Sequence, residues 1–163
     1  MRWLSLIWVS FVVSGMCVAR HDPQSHQQHM ADVGKHGAEA MGFDQDKTTH
    51  HFRLYKDGGA VEVQANDPAD TASIGQIRDH LKEQARKFAA GDFSAPRQTH
   101  GQVPPGVETM TRSRSKIQYE FQSTESGGRL RITTTDTQAL AAVHDFLRFQ
   151  IKDHATGDKT EVQ

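Results

Sequence analysis

The sequence predicts an α+β fold. Two ββα repeats form a four-stranded antiparallel sheet with two helices on one face, the halves related by a pseudo-twofold. Three observations predict it. Four short segments alternate apolar and polar residues with period two, the mark of half-buried strands. Two longer segments carry apolar stripes with period 3.6. The halves also repeat. Setting Gly58-Gly59 equivalent to Gly127-Gly128 aligns His50-His51-Phe52 with Tyr119-Glu120-Phe121, and Val61 and Val63 with Leu130 and Ile132. Beyond a short gap, Asp79-His80-Leu81 aligns with Asp145-Phe146-Leu147, and Gly91-Asp92 with Gly157-Asp158.

Residues 1–19 read as a secretory signal peptide. Arg2 supplies the positive start, Leu4 to Val13 the apolar stretch, and Cys17-Val18-Ala19 the residues before cleavage. The apolar run is well short of the ~20 residues of a membrane span. A lipoprotein built on Cys17 fits less well, because Met16 before it is bulky. Cleavage after Ala19 leaves a chain without cysteine, hence without disulfides or thiolate ligands. This places the protein in the periplasm or outside the cell.

Residues 20–48 form a His-rich leader containing His26, His29, Met30, His36 and Met41, with at most a short, weakly amphipathic helix from Ala31 to Met41. The first ββα repeat spans residues 49–92. His50, Phe52 and Leu54 share one strand face, and His51, Arg53 and Tyr55 the other. Val61, Val63 and Ala65 alternate with Glu62 and Gln64. Glycine pairs are expected at the hairpin turns. Ile74, Ile77, Leu81, Ala85 and Phe88 form the helix stripe, with Asp70 as N-cap and a stop at Gly91.

Residues 93–116 read as a long connecting loop with Val103-Pro104-Pro105-Gly106 fixing a turn. Loops of this length inside a compact domain are usually functional or disordered. The second repeat spans residues 117–163. Ile117, Tyr119 and Phe121 face one way, as do Leu130, Ile132 and Thr134. Its helix carries Leu140, Val143, Leu147 and Ile151 with Phe146 alongside, begins at Asp136 and stops at Gly157. Two such helices cover one face of a four-stranded sheet.

Composition narrows the function. The 163 residues make about one domain, and the formal charge of −1 offers no field for nucleic acid. Ten histidines stand out, against roughly three or four from average usage. His50 falls on the core-facing strand set. His80 borders the Ile77/Leu81 stripe, His144 lies one turn from Leu140 and Leu147, and His154 takes the place of Phe88 in the repeat. His100 reaches the same interface from the connecting loop. Neutral imidazole is the common ligand of zinc and copper, and one imidazole can hold haem iron.

The leading reading is therefore an exported binding protein for a transition metal, copper or zinc, with haem behind them. His50, His80, His100, His144 and His154 are the candidate ligands. The leader, with imidazole and thioether together, suits copper capture. The plainer alternative is that each histidine is a core or boundary residue bonded to a carboxylate or carbonyl, Asp79 and Asp145 lying beside His80 and His144. No H-E-x-x-H or paired C-x-x-C spacing is present, nor a phosphate loop or a G-x-S-x-G elbow. A small hydrolase using a His/carboxylate or His–metal site is the second function reading. An interaction module is the third, a homodimer through the open sheet face bearing Arg53, Arg129, Arg131, Glu62 and Glu120.

Met41-Gly42-Phe43-Asp44-Gln45 followed by Thr49-His50-His51-Phe52 resembles a group of small exported bacterial proteins. The likeness continues through Asn66-Asp67-Pro68-Ala69-Asp70, Val103-Pro104-Pro105-Gly106 and His144-Asp145-Phe146-Leu147-Arg148-Phe149-Gln150, covering residues 41–158. Similar sequences sometimes carry the label aspartate carbamoyltransferase. The residues argue against that label. Its catalytic chain is about twice this length, and no S-T-R-T phosphate motif occurs here. Its zinc-binding regulatory chain needs a set of four cysteines, which residues 20–163 lack.

Overall fold

A computed structural model describes residues 41–163, with Gln28, Ala31 and Val33 before them. The predicted signal segment, residues 1–19, and His26, His29, Met30 and His36 of the predicted leader lie outside the described residues. Four strands form, β1 (Thr48–Tyr55), β2 (Gly58–Ala65), β3 (Ile117–Thr124) and β4 (Gly127–Thr134). All neighbours are antiparallel in the order β1-β2-β4-β3, with Phe52 opposite Val61, Val61 opposite Leu130 and Tyr119 opposite Ile132. The two hairpins thus meet along β2 and β4.

The period-two alternation decides the faces. Phe52, Leu54, Val63, Ile117, Leu130 and Ile132 are buried on one side. Burying each such side chain stabilises by about 1.5–3 kcal/mol. The opposite side pairs its charges: Arg129 with Glu62 at 2.7 Å, Arg53 with Glu62 at 3.7 Å, and Arg131 with Asp57 at 2.5 Å while lying over the Tyr55 ring.

Both glycine pairs sit one step later than a turn. The two-residue turns are Lys56-Asp57 and Glu125-Ser126, and the glycines open β2 and β4. Close packing explains them. A Cβ on Gly59 would run into the Leu147 side chain and the Arg53 carbonyl.

Helix α1 (Thr71–Ala89) starts where the Asp70 carboxylate accepts from Ser73 N–H. It ends in a Schellman-type turn in which Asp92 N–H donates to Lys87 C=O and Gly91 takes φ +82°. Of the remaining helices, α2 spans Ser94–His100, α3 Val107–Arg112 and α4 Thr137–Asp153. The N-cap of α4 is Asp136, accepting from Ala139 N–H. It stops at Asp153, earlier than Gly157, with Ala155 in the left-handed region at φ 49°.

Helix α1 lies mainly over β3 and β4, and α4 mainly over β1 and β2. Each helix covers the other half's hairpin, so the halves share one core. Leu140 is half-buried at the margin of the α4 stripe, which runs instead through Ala139, Ala142, Val143, Phe146, Leu147 and Ile151.

Residues 93–116 are not an open loop. They form α2 and α3 and add Phe93, Val107 and Met110 to the core. Pro104 is fully buried, and Gly106, at φ +84°, presses against the Ala142 carbonyl of α4. The folded body also begins before residue 49, because Phe43 is in the core and Thr48 starts β1. After α4 the chain returns along edge strand β1. Asp158 accepts from Phe52 N–H at 3.0 Å, and Gln163 N–H donates to Leu54 C=O at 2.9 Å. No helix among the described residues is long and apolar enough to cross a membrane.

Candidate functional site

Alternation along β1 turns His50 inward with Phe52, and the period of α1 brings His80 and Gln84 to the same place. Helix α2 delivers His100, and the end of α4 delivers Gln150 and His154. Together with Met41 they line a cavity of about 70 Å³ between the sheet and the helices. Its remaining walls are apolar apart from Thr99, and include Phe52, Leu81, Phe88, Leu130 and Phe146.

The imidazoles lie close together. The ring centroids of His50 and His154 are 5.8 Å apart, and those of His100 and His154 are 5.0 Å apart. Phe43 stacks on His50 at 6.1 Å and meets His80 edge-on at 5.6 Å. His154 also lies against Phe52 at 5.5 Å.

Electrostatics keeps three of these rings neutral. Burial, then the neighbouring His80 and His51, lowers His50 to about 4. Burial, then Lys87, lowers His80 to about 4. Burial, then His100 and His50, lowers His154 to about 3, against an opposing pull from Asp153. A buried imidazole resists charging because the imidazolium loses its water, and crowding several in one space adds repulsion.

His100 differs. Its Nδ1 donates to the Asp153 carboxylate at 2.5 Å, and its Nε2 lies 2.8 Å from the Gln150 amide oxygen. Both ring nitrogens are engaged, so this residue is held as scaffold rather than presenting a free lone pair. His50 is the reverse: its Nε2 is enclosed with no hydrogen-bond partner among the described residues. Gln84, on the same cavity wall, has an enclosed amide oxygen also without a partner among the described residues.

His144 is not brought to this cavity. Its Nε2 donates to the carbonyls of Tyr55 and Gly58 at 2.9 and 3.0 Å, tying α4 to the β1–β2 turn. This is a structural use, and it removes His144 from the group of predicted ligands that meet. The expected carboxylate partners also differ. Asp79 pairs with Lys82 and Asp145 with Arg148, because adjacent helix residues point apart. Asp153 and Gln150 serve His100 instead. The sequence reading missed Asp153, Gln150 and the core placement of Met41. A glutamine inside each apolar stripe, Gln84 and Gln150, was the available signal.

Two imidazoles bound to one ion at ~2.0–2.1 Å place their ring centroids ~5 Å apart at a tetrahedral angle and ~6.4 Å apart when opposite. The 5.8 Å between His50 and His154 lies within that range, but the two rings are stacked, 10° from parallel, so their in-plane lone pairs do not meet at one point. Among the described residues, no three His, Cys, Asp or Glu side chains converge on one point as they stand. Full coordination would require side-chain rotation within the cavity. The chain matches no protein-family model, no curated protein and no solved structure.

Proposed function

We propose that this chain is an exported binding protein for a transition-metal ion, copper or zinc, with His50, His80 and His154 as the ligands. One observation carries the reading: imidazoles crowd a single small cavity, and His50 Nε2 is enclosed there without a partner among the described residues. An unpartnered buried polar atom costs about 1–3 kcal/mol, which a bound ion would relieve. Cavity size weighs against haem. About 70 Å³ suits an ion with a water or two, whereas ligand pockets run to ~300–1,000 Å³. His100, fixed by Asp153 and Gln150, positions the His154 side of the cavity. The apolar run Leu4 to Val13 supports export.

The test is metal binding by the untagged chain expressed from residue 20, compared with His50→Phe and His154→Phe, which retain a ring in each place. One ion per chain is expected, with at least ~tenfold weaker binding in each variant and no change in His144→Ala. Unchanged affinity in both Phe variants would refute this site.

The His100–Asp153 pair favours a second reading, a hydrolase with a His/carboxylate couple. That reading ranks lower. The nitrogen a general base would offer is occupied by Gln150, and the His100 side chain is only 1% exposed.

A further inference from the structure

The cavity also carries a bias among metal ions, and the argument for that bias rests on the metal-binding reading above. We infer that the site selects monovalent copper over zinc, with the Met41 thioether as a ligand beside the imidazoles of His50 and His154.

Position is the first reason. Met41 lines the same cavity as His50, His80 and His154. Phe43, two residues on, packs against both His50 and His80, which holds this segment to the imidazole cluster. The Met41 sulfur is located by Gln45, whose amide lies 3.8 Å from it and 3.4 Å from the Phe43 carbonyl.

Charge is the second. The donor groups that the described residues bring to the cavity are imidazole, thioether, amide and hydroxyl. Among the described residues, no carboxylate and no thiolate lines it. Asp153, the nearby acid, is engaged by His100 Nδ1. An ion entering such a space keeps its full charge against apolar walls. The cost of desolvating charge grows as its square, so a divalent ion is penalised about fourfold more than a monovalent one.

Ligand softness and coordination number agree with charge. A thioether is a soft donor that suits Cu(I) and adds little for Zn(II). The His50 and His154 rings, 5.8 Å apart and 10° from parallel, are stacked, so a ring must turn before both lone pairs reach one ion. Low-coordinate Cu(I) asks for only two or three such donors, whereas zinc needs a closed tetrahedron of four.

The test is an anaerobic titration of the untagged chain with Cu(I) against a chromophoric Cu(I) chelator. A parallel titration uses Zn(II) and a zinc indicator, and Met41→Leu is carried through both. Cu(I) is expected to bind at least ~100-fold more tightly than Zn(II). Met41→Leu is expected to weaken Cu(I) by ~tenfold or more and leave Zn(II) within about twofold. X-ray absorption of the Cu(I)-loaded wild type supplies a second measurement. It is expected to show a sulfur scatterer that Met41→Leu removes, while far-UV circular dichroism shows the variant folded. Zinc binding as tight as copper would overturn this inference and leave the metal-binding reading standing. A sulfur signal or a Cu(I) affinity that survives Met41→Leu would also overturn it, since the thioether would then come from elsewhere. Failure to bind either ion would overturn both.

Discussion

Acid is expected to unfold this protein through its cavity histidines, well before its carboxylates titrate. His50 and His80 are held at about 4 and His154 at about 3, against 6.5 for a free imidazole. The groups facing them are His51, His100, Lys87 and Asp153, of which only Asp153 favours the charged form. Well above pH 6.5, by about pH 7.5, both folded and unfolded chains are neutral at these rings, and they contribute no pH dependence. Below it the unfolded chain binds protons that the folded chain refuses, so stability falls as pH drops toward 4.

At pH 5 the difference amounts to ~2 kcal/mol for each ring. Mutual repulsion is shared among the three, and each residue is half-buried, so ~3–6 kcal/mol is the reasonable total. That is a large part of the ~5–15 kcal/mol that a domain possesses. Urea denaturation followed by far-UV circular dichroism at pH 7.5, 6.5, 5.5 and 5.0, at constant ionic strength, measures it. His154→Phe is expected to remove about a third of the slope. The N-cap carboxylates act in a separate, lower window. Asp70 is held down by Ser73 N–H, and Asp136 by Lys116 and then Ala139 N–H. Their contribution is lost only as pH falls through those lowered values. A flat stability between pH 6.5 and 5.0 would refute the reasoning.

Three further outcomes follow from local geometry. Ala155→Gly is expected to raise stability by about 1 kcal/mol in thermal melts, because Ala155 occupies the left-handed position that ends α4. Gly106→Ala is expected to cost about 2–4 kcal/mol, since its φ is +84° and a Cβ would meet the Ala142 carbonyl. A melting temperature within experimental error of the parent would contradict that clash. Asp158→Ala is expected to cost about 2–3 kcal/mol. Its carboxylate, 5% exposed, serves Phe52 N–H, His51 and Arg53, so hydrogen exchange at the Phe52 amide should accelerate.

Much of this fold is legible in the residues taken singly. Period-two alternation requires one buried strand face whatever the strand pairs with, so Phe52, Leu54, Leu130 and Ile132 could be placed in the core from local pattern alone. Asp70 and Asp136 could be read as caps because a short carboxylate reaches the N–H groups of its own first helical turn. His50 followed the same rule as Phe52 and entered the core with it.

The remainder depended on distant partners. Residues 93–116 read as a loop because α2 and α3 are too short to show a helical period, and their burial comes from α4 and the core. His100 gained Asp153 and Gln150 from some fifty positions away. His144, equally plausible as a ligand by its stripe, was drawn to the carbonyls of Tyr55 and Gly58. Local sequence thus determined which residues turn inward and where helices begin. The crossing of α1 over β3 and β4, and of α4 over β1 and β2, decided which inward histidines share a cavity. Side-chain direction follows from backbone period within one element, whereas convergence depends on how elements several strands apart bury their faces together.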